Sequence, residues 1–197
     1  CRLRRQRQMC IRDSNYSIIT DFCIGAEKEV DSVCVYSNVD IKNVKEIILD
    51  YQSNTSVELL KIIIKDYWNI SPKLVSSSKG YEQNIKGSTA ALVIGDRAFG
   101  LNGKYKYTYD LASIWNTMTD LPFVFACWVS TIQLSDVFEV DFNNALKIGV
   151  NNIDLAIKEE GRSCVSDDPV DYLNNKISYN FDARKKESLK LFLSKIS

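Results

Sequence analysis

The sequence predicts an α/β protein with mainly parallel strands, and three features carry that expectation. Strand-like and helix-like segments alternate along the chain, the order that parallel sheets require. Two short runs are apolar throughout: Ala90–Ile94 (AALVI), closed by Gly95-Asp96, and Leu121–Val129 (LPFVFACWV). Such runs suit strands buried on both faces. The third feature is Glu46 to Trp68, EIILDYQSNTSVELLKIIIKDYW, which reads as strand, polar turn and amphipathic helix.

Along the chain, Ser17–Cys23 and Ser32–Ser37 read as strands around a charged loop, Glu27-Lys28-Glu29. Ile47–Leu49 follows as a buried strand. Val57, Leu60, Ile63, Ile64 and Tyr67 then mark the apolar face of a helix over Thr55–Trp68. Asn69-Ile70-Ser71-Pro72 stops that helix, because proline disfavours helical backbone in the residue before it. Lys73–Val75 is a further strand, and Ser76–Gly80 a solvated polar loop. Asp110–Thr119, Ser135–Gly149, Val150–Glu160, Asp168–Asn174 and Ala183–Ile196 read as helices. Phe123, Phe125 and Trp128 are assigned to the core, and Lys185-Lys186 to the wet face of the last helix.

With 197 residues and 45% hydrophobic content, the chain can fill one large domain or two small lobes. Nothing approaches the run of about 18 apolar residues that a membrane span needs. Lys+Arg and Asp+Glu number 25 each, but the first fourteen residues, CRLRRQRQMCIRDS, hold five Arg and one Asp. The remainder carries 20 basic against 24 acidic residues, a net charge of −4, which argues against a nucleic-acid partner. The opening segment has no apolar h-region and no initiating Met, so it does not read as a signal peptide. Residues 1–14 resemble translated adapter sequence and are expected to be foreign and unpacked, with a disordered arginine-rich arm as the alternative.

Cys23, Cys34, Cys127 and Cys164 are scattered in mostly apolar surroundings, and Cys1 and Cys10 lie in the suspect opening. With no Cys-x-x-Cys pair and no histidine, a zinc site has little to build on, and Ser-His or Cys-His nucleophile pairs are excluded. The thiols read as reduced and buried, as in a cytoplasmic protein.

The junction Gln52-Ser53-Asn54-Thr55-Ser56 is the candidate binding element. A helix start exposes unpaired backbone N–H groups and a partial positive charge, which suits a carboxylate or phosphate. Thr55 and Glu58 also have capping-box spacing, which would close the helix on itself, and both readings stand. Asp96 follows an apolar strand directly, so it either reaches the ligand edge of the sheet or caps a helix beginning near Arg97. Ser32, beside the charged loop, carries no signal of its own.

Six blocks in this order then resemble a known family: Asp21–Val33 (DFCIGAEKEVDSV), Leu49–Leu60 (LDYQSNTSVELL), Leu92–Phe99 (LVIGDRAF), Tyr109–Trp115 (YDLASIW), Leu121–Trp128 (LPFVFACW) and Ile177–Leu193 (ISYNFDARKKESLKLFL). From about Asn15 onward the chain is similar to chorismate dehydratase of the futalosine route to menaquinone, in its Bacteroidetes-type form. The resemblance implies a two-lobed fold like the type II periplasmic binding proteins. One lobe would combine residues 15–36 and 123–197, the other residues 37–122, with chain crossings near Val33–Ser37 and Leu121–Phe125. The family's opening βα unit, which supplies an active-site Asn, is expected to be missing, which would leave this chain inactive alone. The resemblance moves Ser53, Asn54, Thr55 and Ser56 towards carboxylate binding, and makes Ser32 and Asp96 cleft residues. Asn54 stands where the family usually has Arg, and Lys28-Glu29 replaces the usual Gly-Pro or Gly-Glu pair.

The implied reaction dehydrates chorismate to 3-[(1-carboxyvinyl)oxy]benzoate in the cytoplasm, with no metal or cofactor. Either a side chain or a substrate carboxylate could act as the base. A transport-type solute-binding protein and the related dihydroxynaphthoate-forming enzyme are the other readings.

Overall fold

The computed structural model describes residues 4–7, 16–160 and 168–196. In chain order the first elements are β1 (Arg4–Arg7), β2 (Ser17–Ala26), β3 (Val33–Ser37), β4 (Glu46–Leu49) and α1 (Asn54–Ile63). A π-helical turn, Ile64–Trp68, extends α1 and leads to β5 (Lys73–Ser76), β6 (Thr89–Ile94), α2 (Asp96–Phe99), β7 (Tyr107–Asp110) and α3 (Leu111–Thr119). The chain continues through β8 (Phe123–Ser130), α4 (Asp136–Asn151), α5 (Ile153–Glu160) and α6 (Pro169–Asp171). A second π-helical turn, Tyr172–Lys176, precedes β9 (Ser178–Asn180) and α7 (Ala183–Lys195).

The strands form two sheets, one of four strands in the order β1-β8-β2-β9 and one of five in the order β5-β4-β6-β3-β7. The four-stranded sheet is antiparallel throughout. In the other, β4 is parallel to β5 and β6, while β3 is antiparallel to β6 and β7. The expectation of mainly parallel pairing is therefore overturned. An apolar run reports burial on both faces, which β8 and β6 do have, but it carries no information on strand direction. β3 belongs wholly to the five-stranded sheet, so the chain passes from one sheet to the other in the loop at residues 27–32.

Arg4–Arg7, in the segment expected to lack packing, pairs with β8 from Arg4↔Val129 to Arg7↔Ala126. An open strand edge presents unpaired N–H and C=O groups that an extended segment of almost any composition can meet. The rest of that expectation, at residues 1–3 and 8–14, falls outside the described residues.

α1 packs on the sheet through Leu59, Leu60, Ile62 and Ile63, a wider face than the one read from sequence, while Tyr67 is exposed. Asn69 ends this helical stretch in a left-handed conformation (φ 51°), with its N–H on the Ile64 carbonyl. Trp115 of α3 is fully buried in edge-to-face contact with Phe123 and Phe192, and its indole N–H donates to Ser188 Oγ at 2.9 Å. Phe123 is core as expected, whereas Trp128 is half-buried against Phe142.

Lys185 is not on the wet face of α7. Its side chain is 1% exposed and ion-paired with Glu27 and Asp182, because the first turn of α7 faces the β2 end that carries Glu27. Lys186 is exposed as expected. Cys23, Cys34 and Cys127 are free, buried thiols; burial pushes Cys23 and Cys127 up to about 12 and raises Cys34 further. Cys164 falls outside the described residues.

Candidate functional site

Leu49 ends β4, and four residues later Ser53 opens α1. Ser53 is the N-cap in extended conformation (φ −139°, ψ 99°), and its Oγ accepts the Ser56 N–H at 3.2 Å. The Ser53 and Ser56 hydroxyls are also 2.9 Å apart. The capping box expected at Thr55 and Glu58 is not formed, since the true cap lies two residues earlier and Glu58 pairs instead with Lys61 at 2.8 Å. Three hydroxyls lie within four residues, and the backbone selects the one that precedes the first helical residue. Asn54, Thr55 and Ser56 form the first turn, so with the Ser56 N–H capped, those of Asn54 and Thr55 must be met from outside the helix. Thr55 is 1% exposed, and its Oγ1 has no hydrogen-bond partner. Asn54 is exposed.

Beside this turn, β6 ends at Ile94 and leads into Gly95 (φ 65°, ψ −149°), a conformation closed to residues with a Cβ. Gly95 is the N-cap of α2, and its N–H donates to the Ser32 carbonyl at 2.8 Å. Asp96 is the exposed first residue of α2 and makes no capping hydrogen bond, so the capping alternative read from sequence is overturned. Ser32 is held from below. Asp110 caps α3 through the Ser113 N–H at 2.9 Å and also accepts the N–H groups of Val30 (2.9 Å) and Asp31 (2.7 Å). Burial raises the Asp110 carboxyl above the usual carboxylate range, against the pull of those three donors.

These elements border a half-open cavity of about 440 Å³ between the two sheets. Ser32, Ser53, Ser56, Gly95 and Tyr172 line it, and Ile24, Phe125 and Ala126 supply an apolar wall from the four-stranded sheet. Tyr172 Oη and Ser32 Oγ are 2.8 Å apart, and the tyrosine ring meets Phe99 edge-on at 4.8 Å. The structure thus brings Ser32, Ser53 and Ser56 together on the lining; Thr55 is outside it and buried, and Asn54 and Asp96 are outside it and exposed. Sequence reasoning missed Gly95, Phe125 and Tyr172. The Gly95-Asp96 break was a visible signal for the first, but nothing local marked Tyr172. Among the described residues, no group of three or more His, Cys, Asp or Glu could hold a metal ion. The polar side chains of the lining are the hydroxyls of Ser32, Ser53, Ser56 and Tyr172, groups that can donate to a carboxylate.

A family model described as menaquinone biosynthesis matches residues 9–197. The chain belongs to that family. The match opens inside the arginine-rich segment. Among solved structures, the crystal structure of protein AF1704 from Archaeoglobus fulgidus aligns with a TM-score of 0.63 at 15% identity. The alignment covers 96% of this chain and 75% of that one. At this identity the likeness speaks to fold alone, and the fold of this menaquinone-biosynthesis chain is the two-lobed periplasmic-binding-protein type. No helix among the described residues is long and apolar enough to cross a membrane.

Proposed function

We propose that this protein is a hydro-lyase that converts chorismate to 3-[(1-carboxyvinyl)oxy]benzoate, a step of the futalosine route. The observation that carries the reading is the buried turn Ser53–Ser56. It places Ser53 and Ser56, at the start of α1, on the lining of an inter-sheet cavity of a size suited to one small molecule. Chorismate brings two carboxylates, and the family to which the chain belongs acts in menaquinone biosynthesis.

In the reaction the C4 hydroxyl leaves as water, the C3 proton is lost and the ring becomes aromatic. No electrons enter or leave, so the chemistry calls for no redox cofactor. Aromatisation supplies the driving force, and the protein has to anchor the dianion, orient the leaving hydroxyl and exclude water. Ser53, Thr55 and Ser56 are assigned to one carboxylate. The Ser32–Tyr172 hydroxyl pair is assigned to the departing hydroxyl. Hydroxyls at neutral pH are poor bases, which favours a substrate carboxylate as the acceptor of the C3 proton. The free buried thiols favour a reducing, cytoplasmic compartment. Lobe boundaries near residues 27–32 and 120–122 are proposed from sheet membership.

Chromatographic assay of chorismate with the protein that carries this sequence, with and without chelator, tests the reading. Formation of the enolpyruvyl benzoate in both arms supports it. Tight binding without consumption would favour the solute-binding alternative, and chelator-sensitive turnover would refute the metal-free mechanism.

A further inference from the structure

We propose that Asp50 and Arg97 form a positioning pair that sets the serine wall of the cavity, an inference that rests on that cavity being the chorismate site. Asp50 directly follows β4, and its side chain is fully buried. One carboxylate oxygen accepts the Gln52 N–H at 2.7 Å and so shapes the turn that delivers Ser53. The other oxygen accepts from Arg97 Nη2 and from Tyr81 Oη, both at 2.6 Å.

Arg97 lies two residues beyond Gly95, at the end of the neighbouring parallel strand. Its Nη2 also donates to Gln52 Oε1 at 2.9 Å, and its Nη1 to Glu82 at 2.8 Å. The guanidinium carbon stands 5.1 Å from the centre of the Tyr51 ring and 5.5 Å from that of Tyr81. One planar group therefore bolts together the two strand ends whose following residues, Ser53 and Gly95, form adjoining parts of the cavity wall.

Neither Asp50 nor Arg97 lines the cavity, so the pair does not serve as a counter-ion for the substrate. A buried ion pair is a weak source of net stability, and apolar residues of similar volume commonly do as well. What this pair adds is geometry. The guanidinium fork reaches three acceptors in one plane, which an ammonium group on a flexible stem does not reproduce. The bland alternative is that the cluster only stiffens the sheet edge. In that case its loss would lower the melting temperature while folded protein kept its affinity for chorismate.

The test measures chorismate affinity by calorimetry and melting temperature on the same samples of wild type, Arg97→Lys, Asp50→Asn and the double variant. The pair predicts that Arg97→Lys weakens chorismate binding on the order of tenfold, the scale of a misplaced anchor, with kcat retained and KM raised. It also predicts that the two single losses are non-additive in the double variant. Absence of chorismate binding by the wild type would sink the site reading itself. Binding by the wild type with unchanged affinity in Arg97→Lys would overturn the pair and leave the site standing. Should the buried variants fail to fold, Gln52→Ala, at an exposed side chain, removes one arm of the clamp. A severalfold loss of affinity there supports the pair, and an unchanged affinity overturns it.

Discussion

Thr55→Val separates the demands of folding from those of binding. The Thr55 hydroxyl is buried in the first turn of α1 and unpaired, so the folded protein without ligand bears its desolvation with no compensating bond. Valine has the same shape and no hydroxyl. The substitution should therefore stabilise the empty protein by about 1–2 kcal/mol, within the range measured for an unsatisfied buried polar group. For a chain of 197 residues, that corresponds to a rise of roughly 2–8 °C in melting temperature. The reverse is expected for ligand. If Thr55 Oγ1 donates to a chorismate carboxylate, its loss removes a charge-assisted bond of about 1.5–3 kcal/mol, or roughly 10–150-fold in affinity. Calorimetric unfolding and chorismate titration of one preparation measure both effects. A variant that melts lower than wild type, or one that binds chorismate equally well, would refute the assignment of Thr55 as a donor held in reserve for substrate.

Three further outcomes follow from the geometry. Tyr172→Phe breaks the hydroxyl contact with Ser32 in the cavity wall and keeps the ring, so kcat should fall by at least about tenfold in protein that still folds; unchanged kcat would remove Tyr172 from the reaction. Trp115→Ala empties the aromatic contact with Phe123 and Phe192 and leaves Ser188 without its donor, so urea unfolding should show a loss of about 3–5 kcal/mol, and a loss below about 1 kcal/mol would contradict the packing account. Cys23 and Cys127, with thiols held near 12 by burial, stay protonated at pH 8, so iodoacetamide should leave both unmodified in the folded protein; rapid labelling of either would show that β2 and β8 open locally.

The parts of the fold that could be read from sequence were those governed by local physics. The apolar alternation after Ser56 specified the helix, and the unbroken runs at Ala90–Ile94 and Leu121–Val129 specified buried strands. The polar junction between β4 and α1 marked a helix start with donors to spare, and Ser53 and Ser56 do line a cavity. The errors came where distant elements decide. Strand direction depends on which strands meet, and β8 meets β2 across about a hundred residues of chain. The cap fell on Ser53 and not Thr55 because side-chain spacing alone cannot distinguish neighbouring hydroxyls. Lys185 reads as a surface lysine until Glu27 arrives from another part of the chain. Tyr172 reached the site through a π-helical turn whose position no periodicity announces.

We propose that the cavity lined by Ser32, Ser53, Ser56 and Tyr172 holds chorismate during its dehydration. A crystal structure of the protein with 3-[(1-carboxyvinyl)oxy]benzoate bound tests this most directly. One carboxylate is expected at roughly 2.7–3.2 Å from the N–H groups and hydroxyls of the α1 start, with the aromatic ring against Phe125 and within reach of Tyr172. A ligand bound elsewhere with this cavity empty, or a carboxylate turned away from Ser53–Ser56, would contradict it.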